Sequence, residues 1–165
     1  LMERYQQQVF RVAIGFVHSR QDAEDITQEV FIRVYRSLSS FKEKSLFSTW
    51  LYRITLNTSI NYINKNKRRN LLTNAGNSLM SLLNKSNEER DAHQQLEAIE
   101  VKKSIQKAID GLPEKQRKAF ILSKYEELSQ REVAEIMQTS EGAVEQLLVR
   151  ANKSLQKKLA YLVGK

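Results

Sequence analysis

The sequence predicts an all-α protein. Apolar residues recur at helical spacing from end to end. In "DAEDITQEVFIRVYRSL", Ala23, Ile26, Val30, Phe31, Val34, Tyr35 and Leu38 fall on one stripe. Proline occurs once and glycine five times in 165 residues, so little interrupts such stripes. Few polar runs alternate with the period of two that a half-buried strand requires.

The first helix is predicted from about Glu3 to His18, with Val9, Phe10, Ala13, Ile14 and Val17 inward. Ser19 and Asp22 resemble a capping box for the second, which ends near Leu38. "SSFKEKSLFS" is a polar loop holding two exposed-looking aromatics, Phe41 and Phe47. A third helix starts near Ser48 or Thr49, with Trp50, Leu51, Ile54 and Ile60 as most of its core stripe. Residues 70–91 are rich in Asn and Ser, whose side chains compete with helical hydrogen bonds, and predict a linker. A fourth helix covers about 92–110, Gly111 is the expected C′ residue, and Pro113 opens the next helix, which ends near Tyr125. Ser129 and Glu132 form a second capping box before "REVAEIM", and "QTS" is a turn. The last long helix begins at Glu141 and turns Val144, Leu147, Leu148, Ala151, Leu155 and Leu159 to one side.

Composition bounds the function. No cysteine is present, which excludes disulfides, thiolate metal sites and a cysteine nucleophile. His18 and His93 have no carboxylate cluster at ligand spacing, so no metal, no cofactor and no catalytic centre is expected. No apolar run approaches the roughly 20 residues of a membrane span, and no signal peptide is visible, so the expected compartment is the cytoplasm, without membrane insertion. Twenty-seven basic against 19 acidic residues leave a net charge of +8, which favours a polyanionic partner. The charge is uneven: +6 over residues 1–69, −3 over 70–100 and +5 over 101–165.

Three surfaces carry chemistry. Asp22, Asp25, Gln28 and Glu29 make an acidic patch that would repel DNA and suits a basic protein surface. A helix dipole alone accounts for Asp22 and Asp25 but not for the later pair. "NYINKNKRR" places Lys65, Lys67, Arg68 and Arg69 beyond Asn57 and Asn61, which suits single-stranded nucleic acid or simply a solvated helix end. Trp50, at the head of "WLYRI", reads as core in preference to a stacking platform. "LSQREVAEIMQTSEGAVEQLLVRANKSLQKKL" has the pattern of a helix-turn-helix, a pattern shared by plain helical hairpins. Its outward residues are Glu141, Glu145, Gln146, Val149, Arg150 and Lys153. Gln146 can pair with adenine, Glu145 can accept from cytosine, and Val149 can touch a thymine methyl. Lys115, Arg117, Lys118 and Arg131 are candidates for phosphate contacts that set register.

Four segments in this order, "DAEDITQEVFIRVYRSL", "FSTWLYRITLNTSINYINKNKRR", "LPEKQRKAFILSKYEELSQREVAEIM" and "SEGAVEQLLVRANKSLQKKL", resemble the extracytoplasmic-function (ECF) sigma factors, the two-domain members of the bacterial sigma-70 family. The resemblance covers nearly the whole chain outside the linker. It implies a sigma domain 2 helical bundle over 1–69, a flexible linker over 70–91 and a sigma domain 4 helix-turn-helix over 92–165. It implies that Asp25, Gln28, Glu29 and Arg33, with Asp22 and Ile32 nearby, dock on core RNA polymerase. The loop with Phe41, Lys44, Ser45 and Phe47 would capture a flipped base of the −10 element. Arg53, Asn57, Asn61, Lys65, Arg68 and Arg69 would hold the melted strand. Lys115, Arg117, Arg131, Ser140 and the outward face of the last helix would bind the −35 element. Promoter DNA and an anti-sigma factor are the other implied partners, and no enzymatic activity is implied. Asn61 stands where the family commonly has Asp, Asn152 where Arg is common, and Glu145-Gln146-Leu147 where many members have a basic-Ser-Arg run. A stand-alone helix-turn-helix repressor or activator would use only the C-terminal body. A helical adaptor would leave both basic surfaces unexplained.

Overall fold

The computed structural model describes residues 2–42, 44–74 and 93–164, and every regular element among them is helical. Helices α1 (Met2–Val17), α2 (Arg20–Ser37) and α3 (Phe47–Asn74) pack into an N-terminal body. A 3-10 turn, Leu38–Ser40, follows α2. The core of this body joins Val9 and Ala13 of α1 to Ala23, Ile26, Val30 and Val34 of α2 and Leu51 of α3. The buried hydroxyls of Thr27 and Thr55 donate to the carbonyls four residues earlier, Ala23 and Leu51, so neither is left dry without a partner.

The expected box at Ser19 is half made. Ser19 caps α2 by accepting from the Asp22 backbone N–H at 3.3 Å. The Asp22 carboxylate instead accepts the Tyr62 hydroxyl at 2.7 Å, which pushes that hydroxyl above the ordinary tyrosine pKa. Two further expectations fail at the far end of α2. Tyr35 and Leu38 share the phase of the core stripe, yet they are 84% and 51% exposed. The helix outruns the neighbours that could cover it. Likewise α3 runs on through Asn74, five residues past the expected boundary at 69, because no proline or glycine stops it, and Leu71 and Leu72 stand exposed. The rest of the expected linker, 75–92, lies outside the described residues.

Helices α4 (His93–Asp110), α5 (Glu114–Tyr125), α6 (Gln130–Met137) and α7 (Glu141–Val163) build the C-terminal body. Ala108, Ile109 and Leu112 meet Ala151 and Leu155 in its core. Gly111 follows α4 directly and its φ lies outside the left-handed region. It admits Lys158, whose Nζ donates to the Gly111 carbonyl at 3.1 Å and would lie 2.6 Å from an added Cβ.

The Ser129 box is complete. The Glu132 N–H donates to Ser129 Oγ at 3.2 Å, and the Ser129 N–H donates to Glu132 Oε2 at 2.8 Å. Those donors hold the Glu132 carboxyl below its usual pKa. A depressed carboxyl pKa adds stability at neutral pH that is lost as pH falls through the folded-state value. Ser129→Ala is expected to cost about 1 kcal/mol and Ser129→Gly only a few tenths, read as shifts in denaturation midpoint. A midpoint unmoved by Ser129→Ala would remove the box from the energetics.

Between α6 and α7, Gln138 is left-handed at φ 55°. Its N–H donates to Glu135 O at 3.3 Å and the Thr139 N–H to Ala134 O at 3.0 Å. This pair of bonds is a Schellman closure with Gln where Gly is usual. It reverses the chain and sets α7 across α6.

A third core spans the two bodies. Val12, Phe16, Tyr52 and Leu56 pack against Ala119, Ile121, Leu122, Val133, Ala134, Ile136 and Val144. Helix α1 lies on α5, and α3 lies on α6.

Candidate polymerase and nucleic-acid interfaces

On α2 the inward and outward residues separate cleanly. Asp25, Gln28, Glu29, Ile32 and Arg33 are all exposed on the side away from the core. Glu29 and Arg33 pair at 2.8 Å, one helical turn apart. The helix starts at Arg20, so the macrodipole accounts for Asp22 in the first turn and not for Glu29 nearly three turns in. Asp22 is half-buried against Tyr62 and stands back from the others. Sequence reasoning placed Ile32 on this face but missed that Tyr35 extends it as exposed apolar surface. Tyr35 had the phase of a core residue, so periodicity alone could not have found it.

The aromatics on either side of the loop before α3 are packed more closely than its polar composition suggests. Phe41 and Phe47, expected to be exposed, are both half-buried. Phe47 meets Tyr5 edge-on at 5.1 Å and Phe41 at 5.8 Å, and Phe41 lies 4.9 Å from Trp50. Such edge-to-face contacts favour one fixed arrangement of rings. Phe47 and Trp50 belong to the periphery of the N-terminal core. Lys44 is exposed and Ser45 half-exposed beside them.

Along α3, Asn57, Asn61, Lys65 and Arg68 are exposed at helical spacing, with Arg69 alongside. Arg53 heads the same stripe but is half-buried. Its Nε donates to Ile136 O at 3.1 Å and its Nη2 to Glu135 O at 2.6 Å. Those carbonyls end α6, where the helix lacks intrahelical donors and carries its negative pole.

In the C-terminal body, Glu141, Glu145, Gln146, Val149, Arg150 and Lys153 form one exposed face of α7. Val144, Ala151 and Leu155 are buried on the other side. Ser140 caps the helix, its Oγ accepting from the Ala143 N–H at 3.2 Å, so that oxygen is already engaged. Lys115 and Arg131 are exposed, and Lys118 pairs with Glu114 at 2.8 Å. Arg117 departs from its expected place. It is buried, donates to the Phe16 carbonyl and to Asp110 at 2.6 Å, and lies 5.1 Å over the Phe16 ring. Burial pulls its pKa below the ordinary arginine value, with Asp110 opposing the shift. A guanidinium so placed cannot reach a phosphate in this conformation.

No group of three or more potential metal-ligating side chains occurs among the described residues, and no described helix is long and apolar enough to cross a membrane. A helix-turn-helix with an open second-helix face, joined to a helical bundle, has the form of a DNA-binding protein. The family model for Sigma-70 region 2 matches residues 1–69, and that for Sigma-70, region 4 matches residues 102–155. The chain is 32% identical over 166 residues to the RNA polymerase sigma-H factor of Pseudomonas aeruginosa, covering 99% of this chain and 86% of that one. It is 34% identical over 173 residues to the ECF RNA polymerase sigma-E factor of Haemophilus influenzae, covering 99% and 87%. The fold matches the sigma factor RpoE solved with the anti-sigma factor NepR from Bartonella quintana, at TM-score 0.63, 20% identity and coverage of 96% and 94%. It also matches CnrH solved with the cytosolic domain of CnrY, at TM-score 0.65, 22% identity and coverage of 96% and 84%. The chain belongs to the ECF group of the sigma-70 family: it is an RNA polymerase sigma factor, which recognises promoters and initiates transcription, and is not an enzyme.

Proposed function

We propose a division of labour among the surfaces of this sigma factor. Asp25, Gln28, Glu29, Ile32 and Arg33 dock on core polymerase, with Asp22 holding the helix in place through Tyr62. Residues 41–47 and the stripe of Arg53, Asn57, Asn61, Lys65, Arg68 and Arg69 take the melted −10 strand. The exposed face of α7, with Lys115 and Arg131, binds the −35 duplex. The observation that carries this reading is the segregation of charge: an acidic helix face on α2 stands apart from the basic and amide stripe on α3, while the exposed face of α7 mixes Glu141 and Glu145 with Gln146, Arg150 and Lys153. The acidic face would be repelled by DNA, whereas the α3 stripe suits it; on α7 the base contacts of Gln146 and Val149, with Lys115 and Arg131 for phosphate, support the assignment. The domain boundaries, about 1–69 and 92–165, belong to the same proposal, with α3 extending a further turn beyond 69. So do action in the bacterial cytoplasm and sequestration by an anti-sigma factor, the latter supported by the two solved relatives that carry such partners.

Run-off transcription with purified core enzyme tests the reading. Promoter-dependent transcripts support it, and duplex binding without any effect on core would favour a stand-alone repressor. Arg150→Ala is expected to lower transcription about tenfold from promoters that depend on a −35 element, through loss of one good base or phosphate contact. It should leave core affinity and promoters that lack that element unchanged. Equal loss on both promoter types would contradict groove reading by α7.

A further inference from the structure

The two bodies are joined by a buried carboxylate. Glu126 follows the last residue of α5, and its side chain is 2% exposed. From the N-terminal body, Arg11 donates to it through Nε at 2.6 Å and Nη2 at 3.2 Å, and the Tyr52 hydroxyl donates at 2.7 Å. Two helices of one body thus converge on one carboxylate of the other. Burial, followed by that carboxylate, pushes the Tyr52 hydroxyl well above its ordinary value. Beside them α1 and α5 approach so closely that a Cβ on Gly15 would lie 3.1 Å from Ile121 and 3.4 Å from Tyr125.

This closed arrangement conflicts with simultaneous promoter contacts. Elements named −35 and −10 are about 25 base pairs apart, or about 85 Å of duplex at 3.4 Å per pair. A compact chain of this length is about 40 Å across. Arg53 touches the carbonyl of Ile136, and α7 begins at Glu141, five residues on. The strand-binding arginine and the start of the groove-reading helix are therefore within about 20 Å of each other at 3.8 Å per residue. The chain has to open to span its promoter.

We infer that Glu126 latches a resting conformation in which α6 withholds Arg53 from DNA, and that engaging the promoter requires this latch to release. The inference rests on the assignment of Arg53 to the melted strand. Closure lowers the apparent affinity for that strand by the fraction of molecules that are open. Arg11, Tyr52 and Glu126 are positioning residues in this device and need not touch nucleic acid.

The absence of native cysteine permits a direct test. Dyes on Ser39→Cys and Lys157→Cys, both exposed positions, report the separation of the bodies in the free full-length chain. A short oligonucleotide from the non-template strand of a promoter mapped with this chain reports strand binding. Glu126→Gln and Arg11→Glu should each lengthen the dye separation and tighten oligonucleotide binding about tenfold, the scale of one lost charge-assisted bond. The swapped pair Arg11→Glu with Glu126→Arg should restore both toward wild type, which a misfolded variant would not do. Unchanged dye separation in both single variants overturns the latch. Longer separation with unaltered oligonucleotide binding supports the latch and overturns the assignment of Arg53 to the strand.

Discussion

Asp25→Arg combined with Glu29→Arg is expected to weaken binding to core polymerase about a hundredfold, or roughly 2.7 kcal/mol, while the thermal unfolding curve stays in place. Both side chains are exposed and neither touches the core of the N-terminal body. Among the described residues the interaction at stake is the Glu29–Arg33 pair at 2.8 Å, and an exposed pair of that spacing contributes about 0.3–0.5 kcal/mol. Asp25 lies beyond the first turn of α2, so the dipole loses little when its charge reverses. Two reversals on a face that meets a basic surface turn two attractions into repulsions, each costing on the order of 1 kcal/mol or more. High salt should shrink the difference, because exposed charges are screened. Titration of labelled core enzyme together with a circular-dichroism melt separates the outcomes. Undiminished affinity in a folded variant would leave the acidic face without its proposed partner.

Local pattern and long-range placement divide what the sequence reveals. The Ser129–Glu132 box is legible because both partners lie within one helical turn. The two sides of α7 are legible because a 3.6-residue period distinguishes Val144, Ala151 and Leu155 from Gln146, Val149 and Lys153. Period does not tell where a covering neighbour ends. Tyr35 and Leu38 therefore read as core although nothing covers them. It also does not tell how far a helix outruns its domain, hence the extra turn of α3. Arg53 and Glu126 could not be placed at all from pattern, because their partners are 74 to 115 residues away in the chain. Charged residues default to solvent in a sequence reading, and only a donor or acceptor brought from elsewhere in the fold reverses that default.

Arg117→Ala is expected to destabilise the fold by about 3 kcal/mol and to lower Tm by about 6–12 °C, with little change in the salt dependence of −35 binding. Phe16 O is one of the last four carbonyls of α1, which have no donor within their own helix. Arg117 Nη2 supplies that donor and also bonds Asp110 at 2.6 Å, while the guanidinium covers the Phe16 ring. Alanine removes the charged donor, leaves a buried carbonyl unsatisfied and opens a void beside a fully packed phenylalanine. The loss is tempered on the Asp110 side, which is 43% exposed and keeps His18 within 2.8 Å. Lysine should recover only part of the stability, since one ammonium on a flexible stem cannot reproduce a planar fork that serves two acceptors and lies over a ring. A phosphate-binding arginine would behave oppositely. Its removal would leave the melt untouched and reduce the salt slope of DNA binding by about 0.9 per lost contact. The melt and the salt titration on one purified variant therefore distinguish a residue that holds α5 to α1 from one that grips the promoter.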